Sequence, residues 1–370
     1  MSLGVLLALL VRGASADVLS ILKRQETLLL SLLMVSLFSL LGGFLPHAYW
    51  GNGATYIFLP TYSVFVFVVG LLVPSAIGTH EMPRGWIAVA LAVLVGTVVV
   101  DTFLPGFFSS LSSRAAGLAE NPNAAAIRMV LLLSVLLRYE RVRGFDIVAL
   151  CLVGLAVLMT FSRGGLILFF ALAGTYAFYV YRWSLVQTVR IFGLVAIAAG
   201  ILTFLFVHYF SDLPLAQAVN PARLAFFTGG GGLSVTGDVR VRLIRQYLRL
   251  INEAPVFGKG TGYSFGPTGG EIPLGPHNMY LRQWIDNGLP GLLAYVAVLG
   301  SAGLTSARKG CRPGVALVVV AALAGLFSHN LLEDRTFLLL LGLLASVSVL
   351  ADRPRDRVPG EQDRPEISPT

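Results

Sequence analysis

Runs of roughly 17 to 25 apolar residues recur along this chain, and no other feature limits its fold as strongly. "WIAVALAVLVGTVVV", residues 86–100, is one such run. An α-helix rises 1.5 Å per residue, so about 20 apolar residues cross a hydrocarbon layer of ~30 Å. Charged residues make up only 12% of the 370 residues and mean hydropathy is +0.78, whereas a soluble domain is about a quarter charged. A soluble globular fold is therefore excluded. The expectation is an all-α polytopic membrane protein of about 10–12 transmembrane helices, with one long extracytoplasmic loop containing short helices.

Spans are expected at approximately 28–45, 56–76, 86–105, 124–137, 145–162, 164–181, 189–210, 288–307, 314–332 and 336–350. Residues 3–22 read as an uncleaved span or interfacial helix. Ala14-Ser15-Ala16 resembles a signal-peptidase site, but no basic segment precedes the apolar stretch. The loops alternate in charge. One side carries Lys23, Arg24, Arg84, the arginines of "RYERVRG" (138–144), Arg182, Arg190, Arg308, Lys309, Arg312 and the tail arginines 353, 355, 357 and 364. The short loops opposite carry Arg114, Arg163 and Arg335. Basic loops stay cytoplasmic, which puts the C-terminal tail in the cytoplasm and accounts for the net charge of +8 without a nucleic-acid partner.

The domain reading is 1–210 for N-terminal transmembrane helices, 211–286 for an extracytoplasmic loop, 287–350 for C-terminal transmembrane helices and 351–370 for a disordered tail. A 76-residue loop far exceeds ordinary connections, and loops of that size are usually functional. It ends in "GPHNMYLRQW" (275–284), which puts His277 and Asn278 near the headgroups on the outer face.

Several polar residues need a reason. Arg163, in "TFSRGG", is either an anchor for a helical hairpin at the headgroups or a fixed cation for a phosphate, with glycines behind it that allow close backbone approach. In "RVRLIRQYLRLI" (240–251), helical spacing puts Arg242, Arg245 and Arg249 on one face, a solvated or headgroup-facing stripe. Arg240 falls in line with Ile244, Tyr247 and Ile251, where a cation needs either a ligand anion or a structural carboxylate. Asn121-Pro122 reads as a helix N-cap followed by proline at the first helical position. Arg114 and Asn123 beside it have no such assignment. His329 and Asn330 form a second "HN" near the outer end of a span, followed by Glu333, Asp334 and Arg335.

Other chemistries find no motif. No H-E-x-x-H, cysteine cluster or D-x-D suggests a metal, so neither a metal site nor a cofactor is expected. Cys151 and Cys311 fall in a span and a cytoplasmic loop, which excludes a disulfide. "FGKGTGYSFG" (257–266) departs from the phosphate-loop pattern and reads as a flexible or tightly turned stretch, and no G-x-S-x-G elbow is present.

"RAAGLAENPNAAA", "TFSRGG", "RVRLIRQYLRLINEAPVFGKGTG" and "PHNMYLRQWIDNGLPGLL" occur in that order around one long loop. Together, over roughly residues 110–335, they resemble the O-antigen ligase and O-antigen polymerase superfamily of bacterial inner-membrane glycosyltransferases. That resemblance implies a GT-C-type transferase acting on undecaprenyl-diphosphate-linked glycan at the periplasmic face of the inner membrane. It assigns the diphosphate-binding arginines to Arg163 and Arg240 and the loop histidine to His277, with Ile244 standing where many members have tryptophan.

The expected activity is an O-antigen ligase, moving glycan from undecaprenyl diphosphate to lipid A–core oligosaccharide with membrane lipids around it. A polymerase joining lipid-linked repeat units is the alternative within the same chemistry, with a protein-glycosylating relative a third. A lipid or polysaccharide transporter is the alternative of a different class, and Arg128 and Asp101 are the ionisable residues it would use.

Overall fold

The computed structural model describes residues 23–45, 54–76, 82–104, 106–109, 114–119, 121–181, 234–265, 275–328 and 330–350, with side chains of 62–74 in the second stretch and from 242 onward in 234–265. The expected segments 3–22 and 189–210, the loop before 234, His329 and the tail lie outside the described residues. All regular structure among the described residues is helical.

The helices are α1 (Glu26–Gly42), α2 (Ala54–Ala76), α3 (Arg84–Phe103), α4 (Pro122–Leu136), α5 (Gly144–Met159), α6 (Arg163–Tyr181), α7 (Ser234–Glu253), α8 (Met279–Arg308), α9 (Arg312–Ala324) and α10 (Arg335–Leu350). α3, α6 and α8 are long and apolar enough to cross a membrane, while α1, residues 62–74 of α2, α4, α5, α9 and α10 are apolar and shorter. The chain is an all-α polytopic membrane protein.

α4 occupies the middle of the bundle. Every residue from Met129 to Leu136 is buried, as are Ala125, Ala126 and Ile127. A 15-residue helix rises only ~22 Å. It serves because neighbouring helices, rather than lipid, cover its ends. α2 and α10 pack closely through two glycines. A methyl on Gly70 would stand 2.5 Å from the Leu339 carbonyl oxygen, and one on Gly342 would overlap the Phe67 carbonyl. Without a hydrophobic drive between helices in lipid, such backbone proximity is a principal source of attraction.

Two expected spans differ in their bounds. The span at 314–332 ends as a helix at Ala324, because residues 325–328 turn away and Gly325 meets α8. The span at 288–307 begins earlier, at Met279, and passes through a kink at Gly288, whose φ of 68° and ψ of −168° are non-helical. At the far end of the bundle, basic residues tie helix ends together. Arg312 Nη1 donates to the Tyr139 carbonyl at 2.6 Å, and Lys309 Nζ donates to that of Ser348 at 3.0 Å.

The α2–α10 contact yields a prediction. Gly342→Val forces a branched side chain against the Phe67 carbonyl and should cost about 2 kcal/mol or more, a typical overpacking penalty. Thermal unfolding of the detergent-purified protein should show a clear fall in midpoint, whereas Gly300→Ala, with open space around it, should not.

Candidate functional site

The N-termini of α4 and α6 lie together, and side-chain bonds hold them in register. Asn121 caps α4, its Oδ1 accepting from the backbone N–H of Asn123 at 2.9 Å and of Ala124 at 3.3 Å. Ser162 does the same for α6, accepting from the N–H of Gly165 at 3.1 Å while its hydroxyl donates to Asn123 Oδ1 at 2.9 Å. Arg114 completes the group, with Nε donating to the Thr160 carbonyl at 2.9 Å and Nη2 to Asn123 Oδ1 at 3.1 Å. The turn that presents half-buried Arg163 is thus clamped on both sides. Between Thr160 and Ser162, Phe161 has a φ of 50°.

The segment leading to Arg114 is organised by Asp101. Its carboxylate accepts from Ser109 Oγ at 2.7 Å and from the backbone N–H groups of Ala116, Gly117 and Phe108 at 2.9, 3.1 and 3.2 Å. Arg128 donates through Nε to Asp334 Oδ2 at 2.7 Å, and Asp334 also accepts from the Phe337 N–H at the start of α10. The two ionisable residues that a transport pathway would recruit are both engaged in holding segments together.

The second half of the site is the start of α8. His277 is exposed and has a φ of 45°. Phe161 and His277 are the non-glycine residues with positive φ among the described residues, and each flanks one of the two polar turns. Such backbone typically costs ~1–3 kcal/mol and persists where surrounding structure imposes it. Asn278 is the N-cap of α8, its Oδ1 accepting from the Leu281 N–H at 3.1 Å.

α7 supports this start from outside. Leu243, Tyr247 and Ile251 pack against Ile285 of α8, with Leu281 and Trp284 around them. Tyr247 donates to the Ser264 carbonyl at 3.2 Å and Trp284 Nε1 to that of Pro255 at 2.9 Å. Burial, with Asp286 and Tyr263 nearby, pushes the Tyr247 phenol up to about 12, so it remains a donor at neutral pH. Arg242, Arg245 and Arg249 are exposed, as helical spacing implied, but Ile244 is 42% exposed and does not join the buried stripe. Leu243 takes that place, because the packed face is centred on the i, i+4, i+8 series of Leu243, Tyr247 and Ile251. The backbone of Arg240 lies within α7; its side chain lies outside those described.

At the Gly288 kink, the chain segment 255–260 supplies the partners that the interrupted helix has lost. Lys259 N–H donates to the Ile285 carbonyl at 2.7 Å, Gly260 N–H to that of Asp286 at 3.1 Å, and Leu289 N–H to those of Pro255 and Val256. Gly258, with a φ of 76°, crosses so close that a methyl on it would stand 2.5 Å from the Gly288 nitrogen. Beneath this crossing lies a charged cluster. Arg282, 5% exposed, pairs through Nη2 with Glu333 Oε1 at 2.5 Å, approaches Asp286 Oδ2 at 3.7 Å, and stacks over the Phe265 ring 4.7 Å from its centroid. Asp286 accepts from Ser264 N–H at 2.9 Å and Oγ at 3.1 Å. The cavity against this cluster measures ≈ 20 Å³, room for about one water rather than a substrate.

One short stretch touches both halves. The Gly325 carbonyl accepts from the Met279 N–H at 2.7 Å, two residues past His277. Phe327 packs on Gly164, one residue past Arg163, where an added methyl would stand 3.1 Å from the phenylalanine Cβ. The structure therefore brings Arg114 and Asn123 to the Arg163 turn, and links that turn to the His277 turn through residues 325–327. Asn278 is committed to capping, and Asn330 accepts from Ser328 Oγ at 2.6 Å at the exposed edge of the same stretch. Arg242 faces outward from α7. An open apolar cleft of ≈ 680 Å³ runs along α3 from Trp86 to the level of Leu118, Thr336 and Arg128. Among the described residues, no group of three histidine, cysteine or acidic side chains could hold a metal ion.

Sequence reasoning missed Ser162, Arg282 and Glu333 as organising residues. The i, i+4 spacing of Arg282 and Asp286 was a legible signal for a paired helix face, but it did not disclose Glu333 as the stronger partner. The pair gives a prediction. Glu333→Ala removes the shorter of the two ion-pair contacts of the buried Arg282 guanidinium, and removal of one member of a buried pair costs ~3–5 kcal/mol. Calorimetry or a thermal-shift measurement on purified protein should show a much larger loss than for Glu253→Ala, whose pair with Lys259 is exposed.

Residues 147–296 match the family model described as O-antigen ligase, a stretch that runs from α5 into α8 and contains Arg163, Arg240 and His277. No curated protein matches the chain. The match covers under half of the chain and supports the O-antigen ligase family over the residues it spans.

Proposed function

We propose that the protein is an O-antigen ligase of the bacterial inner membrane, transferring glycan from undecaprenyl diphosphate to lipid A–core oligosaccharide at the periplasmic face. The observation that supports this reading most is the junction at residues 325–327, which borders the Arg163 turn through Phe327 and the His277 turn through Gly325. In this reading residues 1–210 and 287–350 form the membrane part, 211–286 the periplasmic loop and 351–370 a cytoplasmic tail.

The chemistry follows from the groups. A hydroxyl of the acceptor attacks the anomeric carbon of the donor sugar while His277 takes its proton, a task suited to an imidazole of ordinary pKa near 6.5. The bond between that carbon and the diphosphate oxygen breaks, and the leaving diphosphate carries away the electron pair. Arg163 and Arg240 hold the diphosphate, because guanidinium forks match phosphate oxygens and strengthen as charge develops. Attack from the side opposite the leaving group inverts the anomeric configuration. The arginines neutralise the leaving group, so the reaction needs no metal. Arg114, Asn123 and Ser162 position the Arg163 turn, and the apolar cleft along α3 suits an isoprenoid chain.

In a transfer assay with purified donor and acceptor, His277→Ala should lower turnover by about 10²–10⁴-fold with donor binding retained, the usual share of a general base. Arg163→Ala and Arg240→Ala should weaken donor binding, and EDTA should leave turnover unchanged. Wild-type turnover in His277→Ala would remove the base, and activity lost to EDTA and restored by a divalent ion would remove the metal-free mechanism. A deletion strain separates ligase from polymerase. Full-length lipid-linked polymer with uncapped core marks a ligase; core bearing at most one repeat marks a polymerase.

A further inference from the structure

The end of the bundle opposite the Arg163 turn carries polar groups that the transfer chemistry does not use. α5 runs from Gly144 to Met159 and leads directly into that turn, so its own start lies ~24 Å away. α3 packs against α5 and starts at the same end. Both starts read arginine, glycine, aromatic: Arg84-Gly85-Trp86 on α3 and Arg143-Gly144-Phe145 on α5. They also share a geometry. Neither helix has a side-chain cap, so no capping side chain takes up the first N–H groups of either. A methyl on Gly85 or on Gly144 would meet nothing within 4 Å, which leaves the first turn of each helix open to close approach. Trp86 and Phe145 are 76% and 56% exposed.

The arginines set this end apart. The Nε atoms of Arg84 and Arg143 are buried, and neither has a hydrogen-bond partner among the described residues. Asp146 relates the two positions. It lies three residues after Arg143, and its carboxylate feels the charges of Arg138 and Arg84. It is 1% exposed and its Oδ2 accepts from the Tyr176 hydroxyl at 3.1 Å. Three arginines against this one carboxylate leave a positive excess. Snorkelling explains an arginine whose whole guanidinium reaches water. It does not explain an Nε withdrawn from water with nothing to bond, which is held at a cost. Two such groups, one at each of two uncapped helix starts, match an anion, on which a guanidinium turned outward recovers the lost bond.

The neighbouring side chains decide which anion. Val89 on α3 and Ile147 and Val148 on α5 are exposed just beyond the two aromatic residues. An anion that carries acyl chains covers this surface, and a free phosphate does not. We infer that the paired starts of α3 and α5 form a binding site for an anionic glycerophospholipid of the adjoining leaflet. Arg84 and Arg143 take its phosphodiester beside the open glycines, and its chains lie along Trp86, Val89, Phe145 and Val148. The site is separate from the donor diphosphate, which the proposed function puts at the far end of α5.

The test titrates detergent-purified full-length protein into a fluorescent phosphatidylglycerol, read by anisotropy, and repeats this with phosphatidylcholine bearing the same label. Wild type should bind phosphatidylglycerol saturably and at least tenfold more tightly than phosphatidylcholine. Arg84→Ala with Arg143→Ala should weaken phosphatidylglycerol binding about tenfold. Arg141→Ala with Arg308→Ala removes the same charge from exposed positions at the same end and should change binding less than twofold. Equal losses in the two double variants assign the effect to general surface charge and overturn the site, as does equal binding of the two lipids. Displacement of the lipid by an equal concentration of inorganic phosphate marks a free-anion site and overturns the lipid assignment. Thermal unfolding of delipidated protein reads folding separately. The buried Nε atoms have no bond to lose, so Arg84→Ala with Arg143→Ala should keep the wild-type midpoint, and added phosphatidylglycerol should raise the midpoint of wild type alone. A lower midpoint in the delipidated variant would show that these arginines serve the fold itself, and overturns the inference.

Discussion

Backbone polar groups that leave a helix within a membrane bundle must find partners inside the protein, because hydrocarbon offers none. That requirement governs the polar end of this molecule. The chain breaks helix at 160–162, at Gly288 and at 325–328, and at each place another segment supplies the missing bond. Arg114 takes the Thr160 carbonyl, the 255–260 crossing takes the Ile285 and Asp286 carbonyls, and the Met279 N–H takes that of Gly325. The breaks serve one another. Remove any of the three clamps and a carbonyl at the bundle end loses its partner.

The charged residues follow the same logic. Glu333 and Asp334, adjacent in sequence, reach in different directions, one to Arg282 on α8 and the other to Arg128 on α4. Arg335 lies over the Tyr62 ring of α2, 5.6 Å from its centroid. Three consecutive side chains thus fasten the turn after α9 to three helices. That turn also separates the Arg163 and His277 motifs, so their spacing is set by ion pairs and close packing rather than by a loop. A glycosyl transfer that joins a fixed cation to a base across two chain segments depends on such rigidity.

Much of this was legible in residue order. Asn121-Pro122 announced a capped helix and the structure has one, because a side-chain cap is a local property. The outward set of Arg242, Arg245 and Arg249 followed from helical period alone. What the sequence could not disclose was partnership. Ile244 looked core-facing until the axis of α8 selected Leu243 instead. The run at 314–332 read as one span because its hydropathy is continuous, yet it breaks at Gly325 to bond with a residue some 46 positions earlier. Arg282 was within a quoted motif and passed unremarked, since its main partner, Glu333, is 51 residues away. The family match at residues 147–296 spans three of the four motifs read from the chain, the one at 114–126 lying outside it, and Arg240 and His329 remain assignments of sequence.

The central claim is that cations and imidazole from distant segments converge on one pyrophosphate. An experimental structure of the protein with a lipid diphosphate donor bound measures this directly. The account requires both phosphates within salt-bridge reach of the Arg163 and Arg240 guanidinium groups, with the His277 ring facing the anomeric carbon. A diphosphate seated away from those arginines, or an imidazole directed into bulk solvent on the far side of the donor, would contradict it.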